Sequence, residues 1–415
     1  MDMLARRNLA RWVFCCCLVF ASSAAAQLSL VGEVKVPCHG ATNPAARFSG
    51  DGCWLVVAHR QHKDTARRTW SRRGFTLIDA RKGQAVRTEK KVRIGRNRPV
   101  FSRNSQWLAW CEEEQPGRAP VRRLAPGADP ATKPKRFTVS AALSPRSYPT
   151  LTAIADDGQR VAIFDPGPSR DRQRIVVYDL SKAVVEHVIA DFREPYMGLP
   201  SFEVVLTDGF VLSHTRPDGA ASGGAYQLVV TELTEGTKRG VYGSYVANST
   251  PRFALLRDGC TLINGTGGFC IEEVDLRSGK KVQLLDAREA LYSHFLEVTV
   301  CPNERFVLAW SRERRQVVGW DRQAKKRYDI PLAERGTVLG IDRCERVLLH
   351  AQPKGVLAVD LSPPHDSRWL LRGKYPLVIV DPAGQHLVSA SKEPPGAEAR
   401  WRFACFQLPQ GQQQD

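Results

Sequence analysis

One phrase recurs eight times along this chain, and no other feature restricts the possible folds as much. It reads apolar-x-apolar, then a short polar turn holding Asp-Gly or an equivalent, then an alternating apolar strand. The copies are ARFSGDGCWLVVAH (46–59), PVFSRNSQWLAWCE (99–112), TAIADDGQRVAIFD (152–165), FEVVLTDGFVLSHT (202–215), RFALLRDGCTLING (252–265), EVTVCPNERFVLAW (297–310), TVLGIDRCERVLLH (337–350) and LVIVDPAGQHLVSA (377–390). They start about 40 to 53 residues apart. Asp-Gly and Asn-containing pairs supply the left-handed backbone that a tight hairpin needs. The flanking alternation, as in Cys53 to Val57, suits half-buried strands.

A second phrase follows each copy: a short β-branched or aromatic strand that ends in an acidic residue and a turn. FTLIDARKGQ (75–84), IVVYDLSK (175–182), CIEEVDLRSGKKVQLL (270–285), QVVGWDRQAKKRYDI (316–330) and VLAVDLSP (356–363) are examples. The turn hands the chain to an outgoing strand, which makes about four strands per repeat. A four-stranded unit of this length is a blade of a β-propeller. The expected fold is therefore all-β, a propeller of eight four-stranded blades, with seven the alternative if one weak copy is discounted. The eighth copy lacks an outgoing strand, and QLSLVGEVKV (27–36) belongs to no blade of its own. The N-terminal strand is expected to complete the last blade and close the ring, which removes exposed sheet edges.

SGDGCWL (49–55) and ADDGQRV (155–161) resemble the Ser-Pro-Asp-Gly phrase of WD-repeat propellers, and Trp320-Asp321 matches that family's Trp-Asp pair. The resemblance extends over 27–408 and implies a WD-like propeller. It departs from the family in having one Trp-Asp pair and no clear Gly-His opening, which points to a degenerate, exported member. It implies little about function, because propellers host many unrelated roles.

The N-terminus reads as a secretory signal: Arg6, Arg7 and Arg11, an apolar run from Trp12 to Ala21, and small residues up to Ala26. The expected organisation is a signal peptide (1–26), one propeller domain (27–408) and a polar tail (409–415). The apolar run is too short for a permanent span, and no other segment of the mature chain is long enough. The expected location is the periplasm, cell envelope or extracellular space. Net charge is +17 over the whole chain and +15 over 27–415. Such a surface attracts anions, but export argues against a specific nucleic-acid role. Eight cysteines remain after the signal, in a compartment where disulfides persist. Cys260 and Cys270 are the local disulfide candidates, on a hairpin whose turn is read at Asn264-Gly265. Cys301 and Cys344 are a possible bridge between blades.

Catalytic motifs are scarce. G-x-S-x-G and G-x-G-x-x-G are absent, so no catalytic residue and no cofactor is assigned. His59 and His62, His214 and His350, and Glu112 to Glu114 are the titratable groups considered for a channel metal. None reaches a ligand set that identifies an ion, and no metal ligand is assigned. Arginine and tryptophan interleave at Trp70, Arg72 and Arg73, at Arg312 and Arg314, and at Arg400 and Trp401. These types anchor interfaces, so the segments are candidate binding residues if they share a face of the disc; packing of the tryptophans between blades is the competing placement. The sequence thus predicts an exported, monomeric, non-catalytic propeller that binds or scaffolds an unknown protein or acidic glycan. The alternative is a propeller hydrolase or lactonase with a divalent metal in its central channel.

Overall fold

A computed structural model describes residues 28–37, 44–65, 68–90, 99–112, 116–140, 142–145, 147–167, 173–189, 204–215, 226–234, 238–245, 253–265, 270–286, 297–310, 316–393 and 400–410. The expected signal peptide lies outside them. Thirty-two strands between Ser29 and Gln407 form eight four-stranded antiparallel sheets, and no helix occurs among the described residues. The strands of each blade are labelled A to D, from the axis outward. Blade 1 comprises A, Ala45–Phe48; B, Trp54–Thr65; C, Arg68–Asp79; and D, Gln84–Lys90. The sequence repeats map one to one onto blades 1 to 8, so the count is eight and not seven.

Blade 8 takes A (Leu377–Val380), B (His386–Lys392) and C (Arg400–Gln407) from the end of the chain and D (Ser29–Pro37) from its start. The last two run antiparallel, from Ser29 opposite Gln407 to Pro37 opposite Arg400. The N-terminal strand closes the ring, as the unpaired sequence at 27–36 predicts.

Strand alternation explains why the blades stack. Successive side chains point to opposite faces of a sheet, and the stretches of strands B and C that neighbouring blades cover on both faces are apolar at nearly every position. Eight hydrophobic clusters result, one at each seam between neighbouring blades. Between blades 1 and 2, Val56, Phe75 and Leu77 meet Leu108 and Trp110, with the Phe75 and Trp110 rings edge-on at 5.2 Å. The closing seam sets Leu55, Val57 and Ile78 against Val34, Val36, Trp401 and Phe403. Each large buried side chain contributes about 1.5–3 kcal/mol relative to exposure.

The A–B turns repeat one geometry. Gly52, Ser105, Gly158, Gly259, Glu304, Glu345 and Gly384 occupy equivalent places and all have positive φ, from 55° to 73°. Each donates its N–H to the carbonyl three residues earlier, as Gly52 does to Ser49 and Glu304 to Cys301. Asp-Gly is one solution to this turn, and blades 2, 6 and 7 accept Ser or Glu there instead. The acidic residues of the second phrase cap the C–D turns. Asp79, Asp179, Asp275 and Asp321 each accept the N–H two residues on.

Two local expectations are corrected. Cys260 and Cys270 are thiols and not a disulfide. Strands Thr261–Gly265 and Cys270–Asp275 do pair, but Cys260 lies opposite Leu276, which donates its N–H to the Cys260 carbonyl at 2.8 Å. Cys270 is six residues farther along, about 20 Å at strand rise, and a disulfide needs Cα atoms within about 7 Å. The cause is the place of the turn: Asn264 and Gly265 are strand residues, paired to Glu272 and Ile271. Cys301 and Cys344 are thiols as well.

Candidate functional site

The strand ends joined through A–B and C–D turns lie on one face of the disc, and those joined through B–C and D–A connections lie on the other, because the four strands alternate in direction. The A strands wall the axial channel. Two adjoining cavities of about 480 and 420 Å³ occupy it, sharing Gly50, Arg103, Leu255 and Pro382 in their walls. Most of the wall is apolar, with Ala153, Ile154, Val204, Val300 and Ile379 typical.

The turn face is bonded to itself. Asp51 donates its N–H to Ser105 Oγ at 2.9 Å, joining blades 1 and 2. Asn104 donates from its main chain to Asp156 Oδ1 at 2.7 Å, joining 2 and 3, and Arg160 bonds Asp208 across 3 and 4. Arg257 N–H to Glu304 Oε1 at 2.6 Å joins 5 and 6. Asn303 reaches Glu345 across 6 and 7, and Arg343 reaches Ala383 across 7 and 8. Across blades 8 and 1, Gly52 packs against Asp381: a Cβ on Gly52 would lie 2.5 Å from the Asp381 carboxyl carbon. Arg103 leaves this pattern and reaches from blade 2 to blade 5. Its guanidinium pairs with Asp156 at 3.0 Å and donates to the carbonyls of Leu256 and Arg257 at 3.0 and 2.7 Å.

The carboxylates at this mouth are engaged within the protein. Glu304 accepts the Arg257 N–H, and Asp381 accepts the main-chain N–H groups of Gln385 and His386 and contacts His386 Nδ1 at 3.0 Å. Arg346 donates from both Nε and Nη2 to Asp342 Oδ2 in a buried pair, in which desolvation outweighs the guanidinium and leaves the carboxyl raised. For Asp321, of the Trp-Asp pair, burial raises the carboxyl, but Arg305 and the N–H groups of Ala324 and Gln323 outweigh it and hold it low. It is a turn cap. Among the described residues, no three His, Cys, Asp or Glu side chains gather in a metal-holding group.

Of the histidines, His59 is buried, with Nε2 3.4 Å from Thr76 Oγ1, and desolvation lowers its pKa to about 4. His350 is also buried and lowered by desolvation. Both are packed within blades. Asn264, which opens the triplet Asn264-Gly265-Thr266, is fully buried.

The candidate binding residues divide. Trp70, Arg72 and Arg73 lie on strand C of blade 1, opposite Lys63, Gln61 and Arg60. Arg400 is exposed at the start of strand C of blade 8. Arg312 and Arg314 are outside the described residues; the strands they connect, Phe306–Trp310 and Gln316–Asp321, are B and C of blade 6. The described segments therefore lie at the B–C ends of blades 1 and 8, on the face away from the bonded turns. Trp401 is the exception: at 2% exposure it is packed in the closing seam. Alternation along strand C turns Trp401, Phe403 and Cys405 inward and Arg400 and Arg402 outward, so Trp401 is a seam residue and not a surface anchor.

Two features were missed in the sequence. Arg103 carries no local signal, because its partners lie 153 and 154 residues away. The other is visible only when charge is counted by blade. Residues 60–98 hold fourteen Lys and Arg against three Asp and Glu, so +11 of the net +17 sits on blade 1 and the connection that follows it.

No family model matches this chain, and no curated protein matches it. Among solved structures, it is similar to a chain in one described as "Crystal Structure of Mitotic Checkpoint Complex", at 12% identity and a TM-score of 0.43, covering 77% of this chain and 89% of that one.

Proposed function

We propose that this chain is an exported, non-catalytic β-propeller that acts as a binding or scaffolding module, with the B–C face toward its partner. On this reading, residues 1–26 are removed as a signal, and the mature protein works as a monomer in the periplasm, cell envelope or extracellular space. The partner is a protein or an acidic glycan. The observation that carries the reading is the inequality of the two faces. Turn-to-turn bonds engage polar groups around one mouth of the channel, whereas the B–C ends of blades 8 and 1, where Arg400 is exposed, lie on the other face. Blades 8 and 1 are neighbours through the closing seam. A rigid disc whose connections vary on one face suits recognition.

The test uses the chain expressed in full in a host that secretes proteins. The expected product is recovered outside the cytoplasm with Gln27 at its N-terminus. Elemental mass spectrometry of that product is expected to find no stoichiometric divalent ion. A tightly held ion, together with ester or lactone turnover that a chelator abolishes, would overturn the non-catalytic reading in favour of the channel hydrolase. Recovery in the cytoplasm with Met1 retained would overturn export.

A further inference from the structure

Arg47 stands apart from its equivalents in the wall of the axial channel. It is the third residue of strand A in blade 1, is exposed, and lies two residues before Ser49, whose carbonyl closes the A–B turn. The same place, two residues before the turn, is held in blades 2, 3, 4, 5 and 8 by Val100, Ala153, Val205, Ala254 and Ile379. All six residues line the cavity of about 480 Å³. One guanidinium therefore faces a level of the wall that is otherwise hydrocarbon.

The rest of this cavity repeats the contrast. Fifteen of the twenty residues around it are apolar, and its two charged residues, Arg47 and Arg103, are both cations. Arg103 is engaged at the mouth by Asp156 and by the carbonyls of Leu256 and Arg257. Arg47 lies deeper, within strand A. The acids of the adjoining cavity, Glu304 and Asp381, accept main-chain N–H groups on the turn face. A volume of this order is that of a small-molecule site, about 300–1,000 Å³.

We infer that this cavity binds a single-chain amphiphilic anion, a long-chain carboxylate, with its head at the Arg47 guanidinium and its tail along the apolar wall. The inference goes beyond the face-binding role proposed above and does not depend on it. A guanidinium forks onto a carboxylate with two parallel hydrogen bonds, and an apolar surround strengthens the attraction between the charges. The tail takes hydrocarbon wall out of water. A small polar anion leaves that wall wet. A neutral hydrocarbon displaces water from the guanidinium without supplying an acceptor. A cationic amphiphile meets two arginines and no acid in this wall. One exposed guanidinium among uncharged equivalents matches one monovalent head.

Titration calorimetry of the purified protein at pH 8 tests this with octanoate, decanoate and laurate, each below its micelle concentration. Dodecanol, dodecyltrimethylammonium and phosphatidylglycerol vesicles are the comparisons. Laurate is expected to bind one molecule per chain, with affinity falling about tenfold from laurate to decanoate and again to octanoate, as buried methylenes are lost. Arg47→Gln is expected to weaken laurate about tenfold and dodecanol about twofold at most, while Arg47→Lys restores most of the laurate affinity. Ala254→Phe and, separately, Val205→Phe fill the cavity and are expected to abolish binding of both ligands in proteins whose circular dichroism matches the parent's. No saturable laurate binding, equal affinity for dodecyltrimethylammonium and laurate, or an Arg47→Gln variant that binds laurate as the parent does would each overturn the assignment. So would laurate binding that survives both phenylalanine variants, or vesicles that bind more tightly than laurate, which would place a bilayer and not a free acid on the protein.

Discussion

The Arg103 guanidinium donates to the main-chain carbonyl of Arg257 at 2.7 Å, from blade 2 to blade 5, across 154 residues of chain. The inter-blade bonds of Asp51, Asn104, Arg160, Arg257, Asn303 and Arg343 on this face join neighbours. Arg103 is also held by Asp156, so one cation ties three blades at the channel mouth. Gly259 leaves room for it: a Cβ there would stand 3.0 Å from its Nη2, on a backbone with φ of 70°. Arg103→Met, which keeps the length and removes the donors, is expected to cost about 1.5–3 kcal/mol, the range for hydrogen bonds to a charged group. Denaturant midpoints with an unchanged slope would report it; no change in midpoint would mean that the cross-channel bonds contribute nothing net.

His59 makes the fold sensitive to acid. Its imidazole is buried, and desolvation lowers the pKa from an ordinary 6.5 to about 4. As pH falls through 6.5, the unfolded chain takes up this proton while the folded protein does not until about pH 4. The unfolded state thus binds more protons across that window, and stability falls as pH drops. The full effect is about 3 kcal/mol, present as a loss below pH 4 and absent above about pH 7. His350 is lowered for the same reason and acts in the same direction. Urea midpoints measured from pH 7 to pH 4 are expected to fall less steeply for His59→Gln than for the parent. Parallel slopes would show that His59 is not the titrating group.

The fold was legible because the propeller repeats its local rules. The turn residues, the apolar alternation and the acid after strand C are short-range features, and each is present in several copies. The disulfide was misjudged because Asn264-Gly265 has the composition of a turn, yet the register carries it into the strand, where Asn264 pairs with Phe253 and Glu272. Trp401 was misplaced because arginines on both sides resemble a surface segment, when alternation alone separates it from Arg400 and Arg402. The basic stretch 60–98 is encoded plainly in its own composition, but an average over the whole chain hides it. Arg103 was not legible at all, since nothing near SRNSQW specifies a partner three blades away.

The thiols give a chemical test of the corrected hairpin. Cys260 and Cys270 are too far apart along the ladder to bridge, and burial raises the thiols of Cys53, Cys301, Cys344 and, up to about 12, Cys405. Thiolates are the reactive form, so alkylation of the folded protein at pH 8 is expected to be slow at Cys301 and Cys405. In denaturant without a reductant, peptide mapping is expected to find the label on Cys260 and Cys270 alike. A peptide pair linked through these two residues would show that the register is wrong.

Ring closure depends on one strand from the start of the chain. Without Ser29–Pro37, the strand Arg400–Gln407 loses the partner it holds over eight register pairs, and the closing seam loses Val34 and Val36. The bared strand keeps alternating apolar side chains and a row of open N–H and C=O groups, the arrangement that templates pairing between molecules. A chain starting at residue 38 is therefore expected to aggregate or to assemble through the open edge, whereas one starting at residue 27 stays monomeric in size-exclusion chromatography. Adding a peptide of sequence 27–37 in excess is expected to restore the monomer by occupying the vacant edge. If the truncated chain is monomeric and melts at the parent temperature, the closure contributes nothing to the stability of the disc.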